Sequence, residues 1–114
     1  MKKGIGIDLV EINRFRKKNF DSNQIFYEKI FTKNEIEYCL KYKDPYPHFA
    51  GKFAAKEAII KATNEKIKLN QIVIKNNLNG LEVMIKNTIN PEILISISHE
   101  KDYAIAMCTV KLDM

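Results

Sequence analysis

The sequence predicts an α+β domain, an antiparallel β-sheet packed on one long central helix. Three observations predict it: an alternating apolar segment at 4–12, an uninterrupted alanine-rich helical stretch at 48–63, and four strand-like segments after residue 70 separated by turn signals. With 114 residues, 46% of them hydrophobic, the chain has apolar material for one small core, so a single domain over 1–114 without a linker is expected.

Residues 4–12 read as a strand with Ile5, Ile7 and Leu9 on one face and Gly6, Asp8 and Val10 on the other. Asn13 is a good helix cap, and the basic run Arg14, Arg16, Lys17, Lys18 predicts a short exposed helix over 14–19. Asp21 or Ser22 can cap a further turn toward Ile30. Thr32-Lys33-Asn34-Glu35 has capping-box spacing and predicts a helix to about Tyr42, which Pro45 and Pro47 stop. From His48 to Thr63 every residue tolerates a helix and no proline interrupts. Gln71–Lys75 and Leu81–Lys86 flank Asn79-Gly80, a hairpin signal. Ile93–Ser98 and Tyr103–Leu112 flank the polar turn His99-Glu100-Lys101-Asp102.

No run of about 18 apolar residues could cross a bilayer, so no membrane partner is expected. The N-terminal apolar run holds Asp8 and lacks a small-residue cleavage site, which predicts a cytoplasmic protein. Cys39 and Cys108 stand alone, without metal-site or redox spacing, and read as buried free thiols. The net charge of +5, from 19 basic and 14 acidic residues, favours polyanionic partners: phosphates, nucleic acid or an acidic protein.

Three places could carry chemistry. Asp8 is a carboxylate inside Ile-Gly-Ile-Asp-Leu-Val, and a buried charge there needs a partner: a divalent cation, backbone amides or a lysine. On the long helix, Phe49, Phe53, Glu57 and Lys61 recur every four residues and line one face, so Glu57 and Lys61 are either an ordinary stabilising pair or part of a site. Lys52 and Lys56, on a neighbouring face, are solvated charges or phosphate contacts. Third, Ser96 and Ser98 lie opposite Ile95 and Ile97 at a strand end, with His99 at the turn as a structural, exposed or ligand-facing residue.

Taken together, Gly4 through Ile12 with Arg14, Phe49-Ala50-Gly51-Lys52-Phe53-Ala54-Ala55-Lys56-Glu57-Ala58 through Lys61-Ala62, and Ser96-Ile97-Ser98-His99 before Tyr103-Ala104 resemble the three signature blocks of the holo-[acyl-carrier-protein] synthases, which are 4′-phosphopantetheinyl transferases. Their order and spacing agree over nearly the whole chain. The resemblance implies the 4′-phosphopantetheinyl transferase fold, and transfer of 4′-phosphopantetheine from coenzyme A to a serine of an apo acyl carrier protein in fatty acid biosynthesis. It implies that Asp8 and Glu57 bind Mg²⁺ with the coenzyme A pyrophosphate, that Lys61 contacts the attacked phosphate, and that Lys52 and Lys56 belong to the coenzyme A site. His99 is implied to hold the nucleotide end of coenzyme A, and Arg14 to dock the acidic recognition helix of the carrier. A carboxylate-held cation plus a lysine suffices for this chemistry, with Asp8, Glu57 and Lys61 as the catalytic set and Glu57 the nearest base.

The chain departs from the family at two places. Ala62-Thr63-Asn64-Glu65-Lys66-Ile67 stands where a Gly-Thr-Gly type turn is usual, which passes the phosphate contacts there to Lys66 or Lys68. Lys43-Asp44-Pro45-Tyr46-Pro47 stands where arginines are usual, leaving the 3′-phosphate to Lys43, His48 or Lys52. A nucleic-acid-binding module is a rival, but the lysines are dispersed and no RNP-like or helix-turn-helix pattern occurs, so no nucleic acid is expected. A coenzyme A-binding protein without catalysis is a second rival, opposed by the joint presence of Asp8, Glu57 and Lys61. A short chain has much surface for its core, and Phe49, Ile59, Ile60 and the strands offer apolar area for association. The resemblance adds the form: a homotrimer in which Asp8, Glu57 and Lys61 come from one subunit and the His99 segment from its neighbour.

Overall fold

A computed structural model describes residues 2–112. Strand β1 (Lys2–Glu11) leads to the short helix α1 (Asn13–Arg16), a 3₁₀ turn (Phe20–Ser22) and α2 (Gln24–Glu28). Then come α3 (Lys33–Leu40), the long helix α4 (Tyr46–Thr63) and a second 3₁₀ turn (Leu69–Gln71). The remainder is β2 (Ile72–Asn77), β3 (Gly80–Ile85), β4 (Thr88–Ile89), β5 (Ile93–His99) and β6 (Tyr103–Leu112). The strands form two three-stranded antiparallel sheets, ordered β1-β6-β5 and β2-β3-β4. The α+β class is as expected, with the strands divided between two sheets.

Alternation along β1 places Gly4, Gly6, Asp8 and Val10 toward α4, while β6 turns Ala104, Ala106, Cys108 and Val110 to the same side. Helix α4 crosses this sheet at unusually short range. A Cβ on Gly4 would stand 1.9 Å from the Ala62 carbonyl oxygen, and one on Gly6 would stand 1.9 Å from that of Ala58. Only hydrogens fit there, so the Gly4-x-Gly6 pair and the small side chains at 58 and 62 are one device for close approach. We expect Gly6→Ala to cost at least about 2 kcal/mol, because backbone and not a flexible tip must move. Chemical denaturation would check it, and a midpoint equal to that of the wild type would contradict the close crossing.

Beyond the sheet, α4 buries Phe49, Phe53, Ala54, Ala55, Ala58 and Ile59. Phe49 joins an aromatic cluster with Phe15, Phe20, Tyr27 and Phe31 from the segments before it. The Tyr27 hydroxyl lies 2.7 Å from the Lys18 carbonyl and 3.1 Å from that of Phe15, tying α1 to α2. Cys39 and Cys108 are buried free thiols, as expected.

Several boundaries differ from the sequence reading. Ile12, not Asn13, occupies the cap of α1, which spans four residues only. Asn19 caps the first 3₁₀ turn by accepting from the Asp21 amide, the role expected of Asp21 or Ser22 in the next turn. Pro45 and Pro47 do not merely stop the preceding helix. Pro45 caps α4 and Pro47 lies in its first turn, where a missing N–H costs nothing. In the β2–β3 hairpin Asn77 pairs with Gly80, so Leu78 and Asn79 form the loop and Gly80 follows at φ 115°. A further tight turn, with Lys86 and Asn87 both left-handed (φ 51° and 69°), connects β3 to β4 and was not read from the sequence.

Candidate active site

The close crossing of β1 and α4 sets the site. Because Gly4 and Gly6 lie against Ala62 and Ala58, the next residue on that face, Asp8, is brought beside the last turns of the helix. Lys61 Nζ donates to Asp8 Oδ1 at 3.2 Å and to the Ile7 carbonyl at 2.9 Å. The Asp8 side chain is largely covered (17% exposed) while that of Lys61 stays half in solvent (53%). One turn earlier on α4, Glu57 is half-buried. Burial, and then the Asp8 charge, push its carboxyl above the usual range, against the pull of Lys61 and Arg14. The Arg14 guanidinium lies 5.2 Å from the centre of the Phe53 ring, one helical turn before Glu57. Two carboxylates and two cations thus share one neighbourhood.

This donor set suits a hard divalent cation. Asp8 and Glu57 both present oxygen, and burial first and the Asp8 charge second raise the Glu57 carboxyl. Among the described residues no group of three or more His, Cys, Asp or Glu gathers, so a cation here would find at most these two carboxylates in the chain.

The other candidates lie elsewhere. Lys56 was expected to be a solvated charge or a phosphate contact, and its position contradicts both. It is 0% exposed, and its three ammonium hydrogens have three internal acceptors: Glu35 Oε1 at 2.6 Å, the Ile30 carbonyl at 2.7 Å and the Leu69 carbonyl at 3.1 Å. No donor remains for a coenzyme. The alanine-rich helix is covered on nearly every side, so a lysine on its α3 face has no route to water. Lys52 is also buried, donating to the Ile74 carbonyl at 2.8 Å with its ammonium 4.8 Å from the Tyr38 ring centre. Unlike Lys56 it borders open space: a cavity of about 180 Å³ lined by Tyr38, His48, Gly51, Lys52, Asn76 and His99 among others. The His99 ring is 5.5 Å from that of His48, which stacks on Tyr42 at 3.6 Å.

Nine residues of helix separate His48 from Glu57, about 14 Å at 1.5 Å per residue. Lys52, which borders the same cavity as His48 and His99, is five residues from Glu57, so α4 carries both clusters at different levels along its length. Ser96 and Ser98 face outward, as expected from alternation. Lys66 and Lys68 are exposed. Where glycines are absent after α4, Asn64 takes the left-handed conformation (φ 55°) that ends the helix. Glu35, legible only as a capping residue, also holds Lys56, and the approach of Arg14 to Phe53 gave no signal in the sequence because α1 and α4 are distant along the chain.

Comparison with known proteins gives this arrangement a family. The profile of the 4′-phosphopantetheinyl transferase superfamily matches residues 4–108. The holo-[acyl-carrier-protein] synthase of Thermodesulfovibrio yellowstonii is 38% identical over 112 residues, covering 96% of this chain and 99% of that protein. That of Chlamydia caviae is 40% identical over 112 residues, covering 90% and 92%. Among solved structures, a holo-(acyl-carrier-protein) synthase from Bacillus anthracis in complex with CoA (3′,5′-ADP) superposes with a TM-score of 0.77 at 33% identity, covering 94% of each chain. The Helicobacter pylori holo-[acyl-carrier-protein] synthase in complex with coenzyme A gives a TM-score of 0.76 at 30% identity, covering 94% of this chain and 99% of that one. With matches of this extent in profile, sequence and fold, the chain belongs to the holo-[acyl-carrier-protein] synthases of the 4′-phosphopantetheinyl transferase superfamily.

Proposed function

We propose that this protein transfers 4′-phosphopantetheine from coenzyme A to a serine hydroxyl of an apo acyl carrier protein, with adenosine 3′,5′-bisphosphate as the leaving group. The observation that carries the reading is the Asp8–Lys61 contact beside a Glu57 carboxyl held above its usual range, in a chain with this family membership. The serine oxygen forms a bond to the β-phosphorus as the bond to the bisphosphate oxygen breaks. Glu57, made more basic by burial and by Asp8, takes the serine proton. Lys61, oriented by Asp8 and the Ile7 carbonyl yet half in solvent, offers its remaining hydrogen to the phosphoryl oxygens. Asp8 and Glu57 would hold Mg²⁺, which when bound neutralises charge on the pyrophosphate.

The cavity at Lys52, His48 and His99 is the place for the nucleotide end of coenzyme A, and Lys52 replaces the usual arginines there as a phosphate contact. The family resemblance makes the complete site a shared one, with the His99 segment of one subunit beside Asp8, Glu57 and Lys61 of its neighbour. The outer face of β1-β6-β5 supports such an assembly: Ile5 (70% exposed), Ile7 (55%) and Leu9 (62%) lie beside Ile105 and Met107 of β6, with Leu94 of β5 beyond. We assign this face to the homotrimer contact. Phe49 and Ile59, which the sequence suggested for it, are core residues instead. This reading places the protein in fatty acid biosynthesis, as its resemblance implies, and in the cytoplasm, as its N-terminal segment suggests; no described helix is long and apolar enough to cross a membrane.

Incubation with coenzyme A, Mg²⁺ and an apo carrier protein should raise the carrier mass by one phosphopantetheinyl group. A folded protein that binds coenzyme A and leaves the carrier mass unchanged would reject the reading. Carrier docking falls to the basic residues of α1. Arg16 is already paired with Asp44 at 2.7 Å, which leaves Arg14 as the arginine of α1 whose charge reaches Glu57. We expect Arg14→Glu to raise the KM for carrier at least about tenfold more than that for coenzyme A, and added salt to act in the same direction. Equal changes in both KM values would remove Arg14 from the docking surface.

A further inference from the structure

The buried lysine that has no donor left for a coenzyme belongs to a network with another use. Glu35 stands at the start of α3, where its Oε1 accepts from the Thr32 amide at 3.0 Å as part of the capping box. The same oxygen accepts from Lys56 Nζ at 2.6 Å. Its second oxygen, Oε2, accepts from the Ile74 amide at 2.9 Å. Ile74 lies on β2, an edge strand of the second sheet, and pairs with Val83 of β3. Its amide and carbonyl both point away from β3 and would be orphaned in the interior without partners. Glu35 satisfies the amide, and Lys52 satisfies the carbonyl at 2.8 Å. The free edge of β2 is thus gripped at a single residue by two helices, by α3 through Glu35 and by α4 through Lys52. Lys56 neutralises Glu35 and ties in the carbonyls of Ile30 and Leu69.

The grip matters because of what it carries. Lys52 projects between two cavities, of about 410 and 180 Å³, both of which also border Tyr38 and Asn76. Asn76 is two residues beyond Ile74 on β2, and Leu81 of β3 also lines the smaller cavity. Position Ile74, and both the Lys52 ammonium and one wall of the cavity are positioned with it. A long flexible side chain gains affinity for an anion chiefly when its rotamer is fixed in advance.

We infer that Glu35 and Lys56 are positioning residues for coenzyme A binding: their buried ion pair anchors Ile74 and thereby holds Lys52 and the β2 wall in the geometry that receives the nucleotide phosphates. This rests on the proposed placement of coenzyme A at Lys52. It assigns the lysine beside Glu57 a role in affinity without contact, through an acid that the sequence marks only as a helix cap.

The test is calorimetric titration of adenosine 3′,5′-bisphosphate, with KM values for coenzyme A and carrier measured in parallel, on Glu35→Gln, Glu35→Gln/Lys56→Met and Lys52→Met. Glu35→Gln leaves Lys56 buried without a counter-charge and is the variant most at risk of unfolding. The double variant removes both charges together, which interiors tolerate well. We expect roughly tenfold weaker binding of the bisphosphate by each folded variant and a matching rise in the coenzyme A KM, with the carrier KM unchanged, as for loss of one charge-assisted contact. If the pair only stabilises the fold, the melting temperature falls while affinity and both KM values stay at wild-type values, and the inference is overturned. Lys52→Met separates the two claims. Weakening there with wild-type affinity in the double variant overturns the positioning role alone, whereas wild-type affinity in Lys52→Met rejects the placement of coenzyme A and the inference with it.

Discussion

Asp8→Ala and Glu57→Ala should each lower turnover by roughly 10²–10⁴-fold while leaving cooperative unfolding in place. The two carboxylates repel each other across the β1–α4 crossing, and Glu57 is held above the ordinary range by burial and by Asp8. Such an arrangement contributes little to the fold, so removing either member costs function and not stability. Asp8→Ala carries a second loss, since Lys61 then keeps only the Ile7 carbonyl as a partner and is free to swing into solvent. Chelation with EDTA should abolish the activity of the wild type, and Mg²⁺ or Mn²⁺ should restore it. Phosphopantetheinyl transfer at the wild-type rate by either variant in EDTA-treated buffer would sink the metal assignment.

Comparable in size is the expected effect of a charge on the outer sheet face. Ile7 pairs with Met107 across β1 and β6, both are exposed in a single chain, and Ile5, Leu9 and Ile105 surround them. Each large side chain buried between subunits contributes about 1.5–3 kcal/mol. Ile7→Glu not only forfeits its share but sets like charges from several subunits against one another. We expect light scattering to report a folded monomer, with activity reduced at least about a hundredfold if, as proposed, the site is shared between subunits. A monomer with full activity would show that one chain is sufficient, and an intact trimer would show that subunits meet elsewhere.

What was legible in the sequence follows the reach of each signal. Alternation in β1 correctly turned Asp8 toward one face with Gly6 and Val10, and the capping box at Thr32 and Glu35 is present because its residues are neighbours in the chain. The β-turns were half legible. Asn79-Gly80 located a hairpin, but Gly80 serves after the loop, and Lys86-Asn87 adopts a primed turn that Lys86 does not favour. Lys56 was misplaced because lysine is a surface residue by default, and its burial depends on Glu35 and two carbonyls that lie 13–26 positions away. A better clue was present in α4 itself: alanines at 50, 54, 55, 58 and 62 mark most of its surface for close packing, and Gly4 and Gly6 are the counterpart on β1. The four-residue spacing of Phe49, Phe53, Glu57 and Lys61 did mark the helix face whose last member meets Asp8. Arg14 could not be placed on it without the fold.

The most direct measurement mixes two defects. Glu57→Ala damages the carboxylate cluster and His99→Ala the cavity proposed for the nucleotide, which the shared-site proposal assigns to neighbouring subunits. Each variant alone, folded and incubated with coenzyme A, Mg²⁺ and apo carrier, should leave nearly all of the carrier mass unchanged. After co-refolding, some interfaces contain both intact residues, and the carrier should gain the phosphopantetheinyl mass at a fraction of the wild-type rate. No gain from mixed assemblies whose parents are both folded would contradict a site shared between subunits.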